Sequence, residues 1–270
     1  MAERTATHGR AGGQPTFAVI LTWILPGAGH VYIGRPLLGL AAFLVVDGFF
    51  LVGLWLTEGR TFEFLQPDLQ GPFAGALTPE VGNLGGLVYQ MRRYGFGPGF
   101  PRPWPEHVHL GAWLTATSGL LNVVLMARVH LEAQLPGRAM RRAGSPDMLV
   151  LAAWLVPGLG HALQGRRKRG IVVAVVVVGL LALGTVLAEA SNLDRERHFY
   201  YWAGQFLAGG PAMLLEVLFG GTRVTGEIPY VDAGLGMGCM AGLLNVLAWL
   251  DVYGWEEERV LAAPVPEAAG

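Results

Sequence analysis

Hydrophobic positions in this chain come in long blocks. Four of them are long enough to cross a bilayer, which takes about 20 mostly apolar residues. They are Pro36 to Leu56, with one charge at Asp47; Leu110 to Ala127 and Ile171 to Ala188, both uncharged; and Val231 to Leu250, with Asp232 near its start. The run Ile171–Val178 has strand propensity. A block this long with nothing polar in it still reads as a membrane helix, because lipid offers a lone strand no backbone partners.

Two further blocks, Thr16 to Ile33 and Met148 to Leu163, are uncharged but slightly short. The first is interrupted by Pro26, Gly27 and Gly29, the second by Pro157, Gly158 and Gly160. Proline removes a backbone hydrogen bond and glycine softens a helix. Each block is therefore expected to be a kinked span or a re-entrant hairpin. Val81 to Met91 and Gly204 to Gly220 are shorter or Gly-rich, and are expected as interfacial or buried helices. The N-terminus has Arg4 and Arg10 ahead of an apolar core, as a signal peptide would. No A-x-A-like site follows and the pattern recurs near Met148, so no cleavage is expected.

The same pattern occurs twice. Residues 22–39 read TWILPGAGHVYIGRPLLG and residues 153–170 read AWLVPGLGHALQGRRKRG. The identities are Trp23/Trp154, Pro26/Pro157, Gly27/Gly158, Gly29/Gly160, His30/His161, Gly34/Gly165, Arg35/Arg166 and Gly39/Gly170. Chance at ordinary residue frequencies gives roughly one or two. Downstream, GLLNVVLMARV at 119–129 matches GLLNVLAWLDV at 242–252. Between them, Leu84-Gly85-Gly86 and Ala208-Gly209-Gly210 fall at a similar offset. The expected fold is an all-α polytopic membrane protein of two tandem helical units. Unit one is 15–131 and unit two 148–254, joined by a basic linker at 132–147, with polar tails at 1–14 and 255–270. Each unit holds a PGxGH segment, a clear span, a long loop with a short apolar helix, and a GLLNV span.

The pattern W-[IL]-[LV]-P-G-x-G-H-x-x-x-G-R followed by a span resembles the TM2-domain type of membrane hairpin and bacterial membrane families with a PGxGHxYxG signature. Asn245 to Asp251 resembles the Asp-ending helix of such proteins. The resemblance implies a membrane fold and location; it carries no assigned chemistry. Two departures matter. The aromatic after the histidine is Tyr32 in unit one but Leu163 in unit two, and the terminal acid is Asp251 in unit two but Arg128 in unit one.

Composition agrees with the blocks. Apolar residues make up 52% and charged residues 14%, against about 25% charged in soluble domains. A net charge of −1 gives no global basic field for nucleic acid. Cys239 is the one cysteine, which excludes an internal disulfide, and its apolar setting makes it a passive hydrophobe. Basic residues cluster at Arg138, Arg141 and Arg142 and again at Arg166, Arg167, Lys168 and Arg169. Short Lys/Arg-rich loops stay cytoplasmic. Both clusters are cytoplasmic if Met148–Leu163 is re-entrant. The expected topology is then two parallel repeats with cytoplasmic termini in a bacterial inner membrane, and with loops 57–109 and 190–230 outside.

Few residues could carry chemistry. His30 and His161 could bind an ion, a lipid phosphate or a proton, or could bond carbonyls freed by the nearby Pro and Gly; the second role is expected. Asp47, mid-span, is either a functional group or a water-reached position where the helix breaks at Gly48. It has no counterpart in unit two. Asn122 and Asn245 are expected to hydrogen-bond between helices, and Asp251 closes the second unit. Glu106-His107-Val108-His109 lacks a second ligand cluster and reads as a wet loop, not a metal site. No P-loop, nucleophile elbow, HExxH or dinucleotide fingerprint occurs. No cofactor and no nucleic acid is expected.

The expected partners are the lipid bilayer, and other membrane proteins or a second copy. A non-enzymatic scaffold, assembly or regulatory protein is the favoured function. A small transporter or channel using the PGxGH histidines and Asp47 is the alternative. The protein should stay in the membrane pellet through an alkaline carbonate wash and enter solution only with detergent; recovery in the carbonate supernatant would remove the membrane assignment.

Overall fold

A computed structural model of the chain describes residues 13–97, 100, 102–135, 146–220 and 226–262. Most of the linker expected at 132–147, with Arg138, Arg141 and Arg142, and most of the N-terminal tail lie outside the described residues. Those described are all-helical, with four helices long and apolar enough to span a membrane. In chain order the helices are α1 (Pro15–Ile24), α2 (Ala28–Tyr32), α3 (Pro36–Leu56), α4 (Leu84–Tyr94), α5 (Val108–Gln134), α6 (Pro146–Leu155), α7 (Leu159–Leu163), α8 (Arg167–Leu187), α9 (Phe199–Phe206), α10 (Gly210–Phe219) and α11 (Val231–Ala262). Four short 3₁₀ turns between Thr61 and Gly82, and one at Ser191–Leu193, shape the loops.

The four long helices, α3, α5, α8 and α11, are the candidate spans. Half of the α5 window is buried inside the protein but only 28% of the α8 window. Hence α5 and α11 form the centre, and α3 and α8 present apolar side chains outward. Leu37, Leu44 and Trp55 of α3, and Ile171, Val175 and Val186 of α8, are largely exposed. An outer belt this apolar would aggregate in water and is at rest against lipid.

The bundle has two distinct ends. At one, here the basic end, α3 and α8 begin and α5 and α11 finish. Arg35 pairs there with Glu132, Arg128 with Asp147 at the start of α6, and Arg166 with Asp251. The described parts of the connections after α3 and after α8 gather at the opposite end. There Tyr200 donates to Ala74 O, and Phe62, Phe64 and Phe199 share one apolar cluster. The larger core cluster joins Ala116, Leu120 and Val124 of α5 to Leu149, Val150, Ala153 and Trp154 of α6 and to Trp249 and Val252 of α11.

Each PGxGH segment is a short helix, a sharp reversal and a second short helix. α1 has 10 residues, about 15 Å of rise, half of a ~30 Å hydrocarbon layer. It stops before Pro26. Gly27 then adopts φ 81° and α2 runs back, so that Tyr32 returns to the start of α1. There Gln14 N donates to the Tyr32 hydroxyl at 3.3 Å and Phe17 meets the Tyr32 ring edge-on at 5.1 Å. Gly158 repeats the reversal at φ 84°. The next turn is also alike in both. Gly34 and Gly165 take φ 84° and 81°, and Arg35 N and Arg166 N donate back to His30 O and His161 O at 2.8 and 2.9 Å. This is the glycine-ended helix stop, where only a residue without Cβ sits easily at positive φ.

Close helix contacts recur at matching places. A Cβ on Gly27 would stand 2.0 Å from Gly39 O, and one on Gly158 2.0 Å from Gly170 O. Gly53 and Gly111 pack α3 against α5 as Gly184 and Gly234 pack α8 against α11. Small residues let membrane helices approach to backbone contact.

Some expectations need correction. α3 is continuous through Gly48, since backbone bonds run unbroken from Pro36 to Leu56. The stretch Gly204–Gly220 holds the end of α9 and the whole of α10, parted where Gly209 takes φ 75°. Gly85 and Gly210 stand in like places, abutting Ile24 O and Leu155 O at the ends of α1 and α6. α11 runs to Ala262, past the expected start of the polar tail.

Gly158→Ala must push α8 away from the reversal, whereas Gly165→Ala meets nothing within 4 Å and bears only its positive φ, about 1–2 kcal/mol. The thermal midpoint in detergent should therefore fall much further for Gly158→Ala than for Gly165→Ala; equal shifts would mean that the α6–α7 reversal does not touch α8.

Candidate functional site

Four groups of polar residues bear on function. The first is Asn122, fully buried near the middle of α5. Proline at position 26 has no N–H, so the carbonyl four residues back, Thr22 O, has no helical donor. Asn122 Nδ2 donates to it at 2.8 Å, and also to Gly82 O at 2.9 Å. α1 arrives from the basic end and the 3₁₀ turn at Pro79–Gly82 from the loop end, and the asparagine ties them together. Trp23 Nε1 adds a 2.7 Å bond to Val81 O. In unit two Asn245 Nδ2 donates to Leu207 O at 3.1 Å, at the end of α9.

This overturns the role expected of the histidines. Neither ring nitrogen of His30 has a hydrogen-bond partner among the described residues. The reversal at Gly27 carries His30 back toward the basic end, among Arg35, Arg128 and Asp147, away from the carbonyl that needs a donor. His161 likewise meets no backbone carbonyl; its Nε2 lies 2.9 Å from Asp251 Oδ2.

The second group is the pair of charged clusters at the basic end. In unit two Asp251 is the hub. It accepts from Arg166 at 2.5 Å and from Arg169 at 3.0 Å, and touches His161. In unit one the matching position holds Arg128, and the acid is Glu132, one helical turn further along α5. Glu132 accepts from Arg35 and from Arg128, both at 3.0 Å, while Arg128 also reaches Asp147 at 3.1 Å. Trp255 takes the matching place in unit two, beneath the Arg166 guanidinium at 5.6 Å.

The third group is Asp47, half-buried on α3. Its Oδ1 accepts from Asn83 Nδ2 at 3.1 Å, and Asn83 Oδ1 in turn caps α4 by accepting from Gly86 N at 3.1 Å. Asp47 therefore orients an N-cap. It does not come together with His30 and His161.

Sequence reading missed the fourth group. Arg195, between α8 and α9, is fully buried with its guanidinium 4.0 Å from the Trp202 ring and 3.5 Å from Glu80 Oε1. Glu80, also fully buried, accepts from Thr115 Oγ1 at 3.0 Å. Burial pulls the Arg195 pKa below its ordinary value, and Glu80 and Glu216 oppose that shift. Nothing in the loop composition marks this arginine, because its ion-pair partner, Glu80, comes from the other half of the chain.

Two cavities lie between the units. One of about 620 Å³ at the loop end is lined by His109 and Trp113 of α5, Asp194 and Arg197 of the following loop, and Glu216 of α10. The other, an apolar groove of about 760 Å³, runs between α5 and α11. Neither is lined by His30, His161 or Asp47. Among the described residues no group of three or more His, Cys, Asp or Glu could hold a metal ion.

Asn122→Leu leaves two buried carbonyls without their donor and should lower stability in detergent by about 1–3 kcal/mol. Asn245→Leu should lower it less, as the amide reaches one such carbonyl in Leu207. An Asn122→Leu protein that melts with the parent would show that the two half-length segments do not depend on that amide.

A family model, described as a family of unknown function (DUF6677), matches residues 17–139 and 148–263. No curated protein and no solved structure matches the chain.

Proposed function

The chain belongs to this family of unknown function, and we propose that it is a non-enzymatic membrane scaffold that assembles with other membrane proteins or with a second copy of itself. One observation carries the reading. Three of the candidate polar groups are engaged in holding the fold: Asn122 on two carbonyls, Asp47 on the α4 cap, Asp251 on His161 and two arginines. Two acids that line the loop-end cavity are engaged as well: Glu216 accepts from Trp202 Nε1, and Asp194 from the backbone N–H groups of Glu196 and Arg197.

Duplication is part of the same proposal. The eight identities around PGxGH, the two reversals at Gly27 and Gly158, and the paired contacts Gly53–Gly111 and Gly184–Gly234 all support two copies of one unit in parallel. The chemistry of Arg35, Arg128, Arg166 and Arg169 at one end supports placing that end in the cytoplasm of a bacterial inner membrane. The PGxGH segments then enter and leave on that side. Their likeness to the TM2-type hairpin supports the same reading.

A transporter or channel is the second reading. It is favoured by two half-length segments that meet at Asn122 from opposite ends, with backbone carbonyls at mid-bundle. Purified protein in liposomes decides between them. With proton and potassium gradients imposed, flux should equal that of protein-free liposomes. Flux that rises with protein and disappears in Asp47→Asn or Asn122→Leu would replace the scaffold reading by transport.

A further inference from the structure

The start of α8 carries charges that its fold does not use. Arg166, Arg167, Lys168 and Arg169 stand in sequence where the span begins. Asp251 engages Arg166 and Arg169. Arg167 and Lys168 are exposed, and no ion pair is found for either among the described residues. Cations at a helix start face the positive end of the helix dipole and are destabilising there by a few tenths of a kcal/mol each. The helix does not need them. In unit one the matching residues are Pro36-Leu37-Leu38, which open α3 with a proline and two apolar residues. Four adjacent cations against one acid, at the mouth of a spanning helix, match the negative headgroup layer of a membrane rather than an internal partner.

We propose that the start of α8 is a binding site for the phosphate headgroup of an anionic phospholipid, held by Arg167 and Lys168 with Arg169 beside them. Asp251 keeps Arg166 and Arg169 in place and leaves the outer two cations free for the headgroup. The lipid's tails lie along the outward face of α8, where Ile171, Val172 and Val175 are exposed. The start of α3 lacks the cations, so the starts of α3 and α8 differ in lipid preference. This does not depend on whether the protein scaffolds or transports.

The test uses the full chain in a neutral detergent, titrated with phosphatidylglycerol or phosphatidylcholine, with bound lipid counted by native mass spectrometry. Phosphatidylglycerol should bind about tenfold more tightly or better, from about two effective surface cations, and should weaken in roughly 0.5 M salt. The double change Arg167→Gln with Lys168→Gln should abolish the preference. Arg92→Gln with Arg93→Gln, on α4, should leave it intact. Equal binding of the two lipids by the unaltered protein, or a preference that survives the Arg167 and Lys168 changes, would overturn the proposal. So would displacement by an equal concentration of inorganic phosphate, which would make the site one for a free anion. The lipid and salt comparisons need no variant, so a variant that fails to fold leaves the proposal testable.

Discussion

A backbone carbonyl in the middle of a bilayer must find a donor inside the protein, because lipid supplies none. Pro26 creates one such carbonyl at Thr22, and the amide of Asn122 satisfies it at 2.8 Å. Much of unit one is arranged around that bond. α1 can stop halfway because its last turn is capped from α5. The 79–82 turn can dip to the same depth because the same amide also holds Gly82 O. Asn245 and Leu207 O reproduce the second half of this arrangement.

Close backbone approach is the other half of the design. The reversal at Gly27 touches Gly39, and the helix ends meet at Gly53 and Gly111. In lipid there is no hydrophobic gain from joining two apolar helices, so contact at backbone distance supplies the attraction. The abundance of glycine follows from this, and the glycines that matter are those facing a backbone oxygen within 3 Å. Gly48 and Gly179 face nothing within 4 Å, and there the helices simply continue.

The two halves of the chain pair the arginine that follows PGxGH in different ways. The arginine after each PGxGH motif needs an acid at the basic end. Unit two uses Asp251, which also serves His161. In the first half the acid is Glu132, one turn further on, Arg128 stands at the position that aligns with Asp251, and that arginine also reaches Asp147 at the start of α6. Arg128 thereby ties α5 to α6. His30 is buried beside it without a hydrogen-bond partner among the described residues.

The long apolar blocks determined the four spans, since no other structure closes about 20 apolar residues on themselves in lipid. Pro26 and Pro157 determined where the half-length helices stop, and the glycines after them marked the reversals. These are local effects, carried by the residues themselves. Tertiary structure decided which donor answers each freed carbonyl. Asn122 is 100 residues from Thr22, whereas His30 is near in sequence and turned away by the reversal. It likewise decided that Arg195 is buried, because Glu80 and Trp202 meet only when the two units pack. Hydrogen bonds and ion pairs act over a few ångströms in space, and distance along the chain does not report that separation.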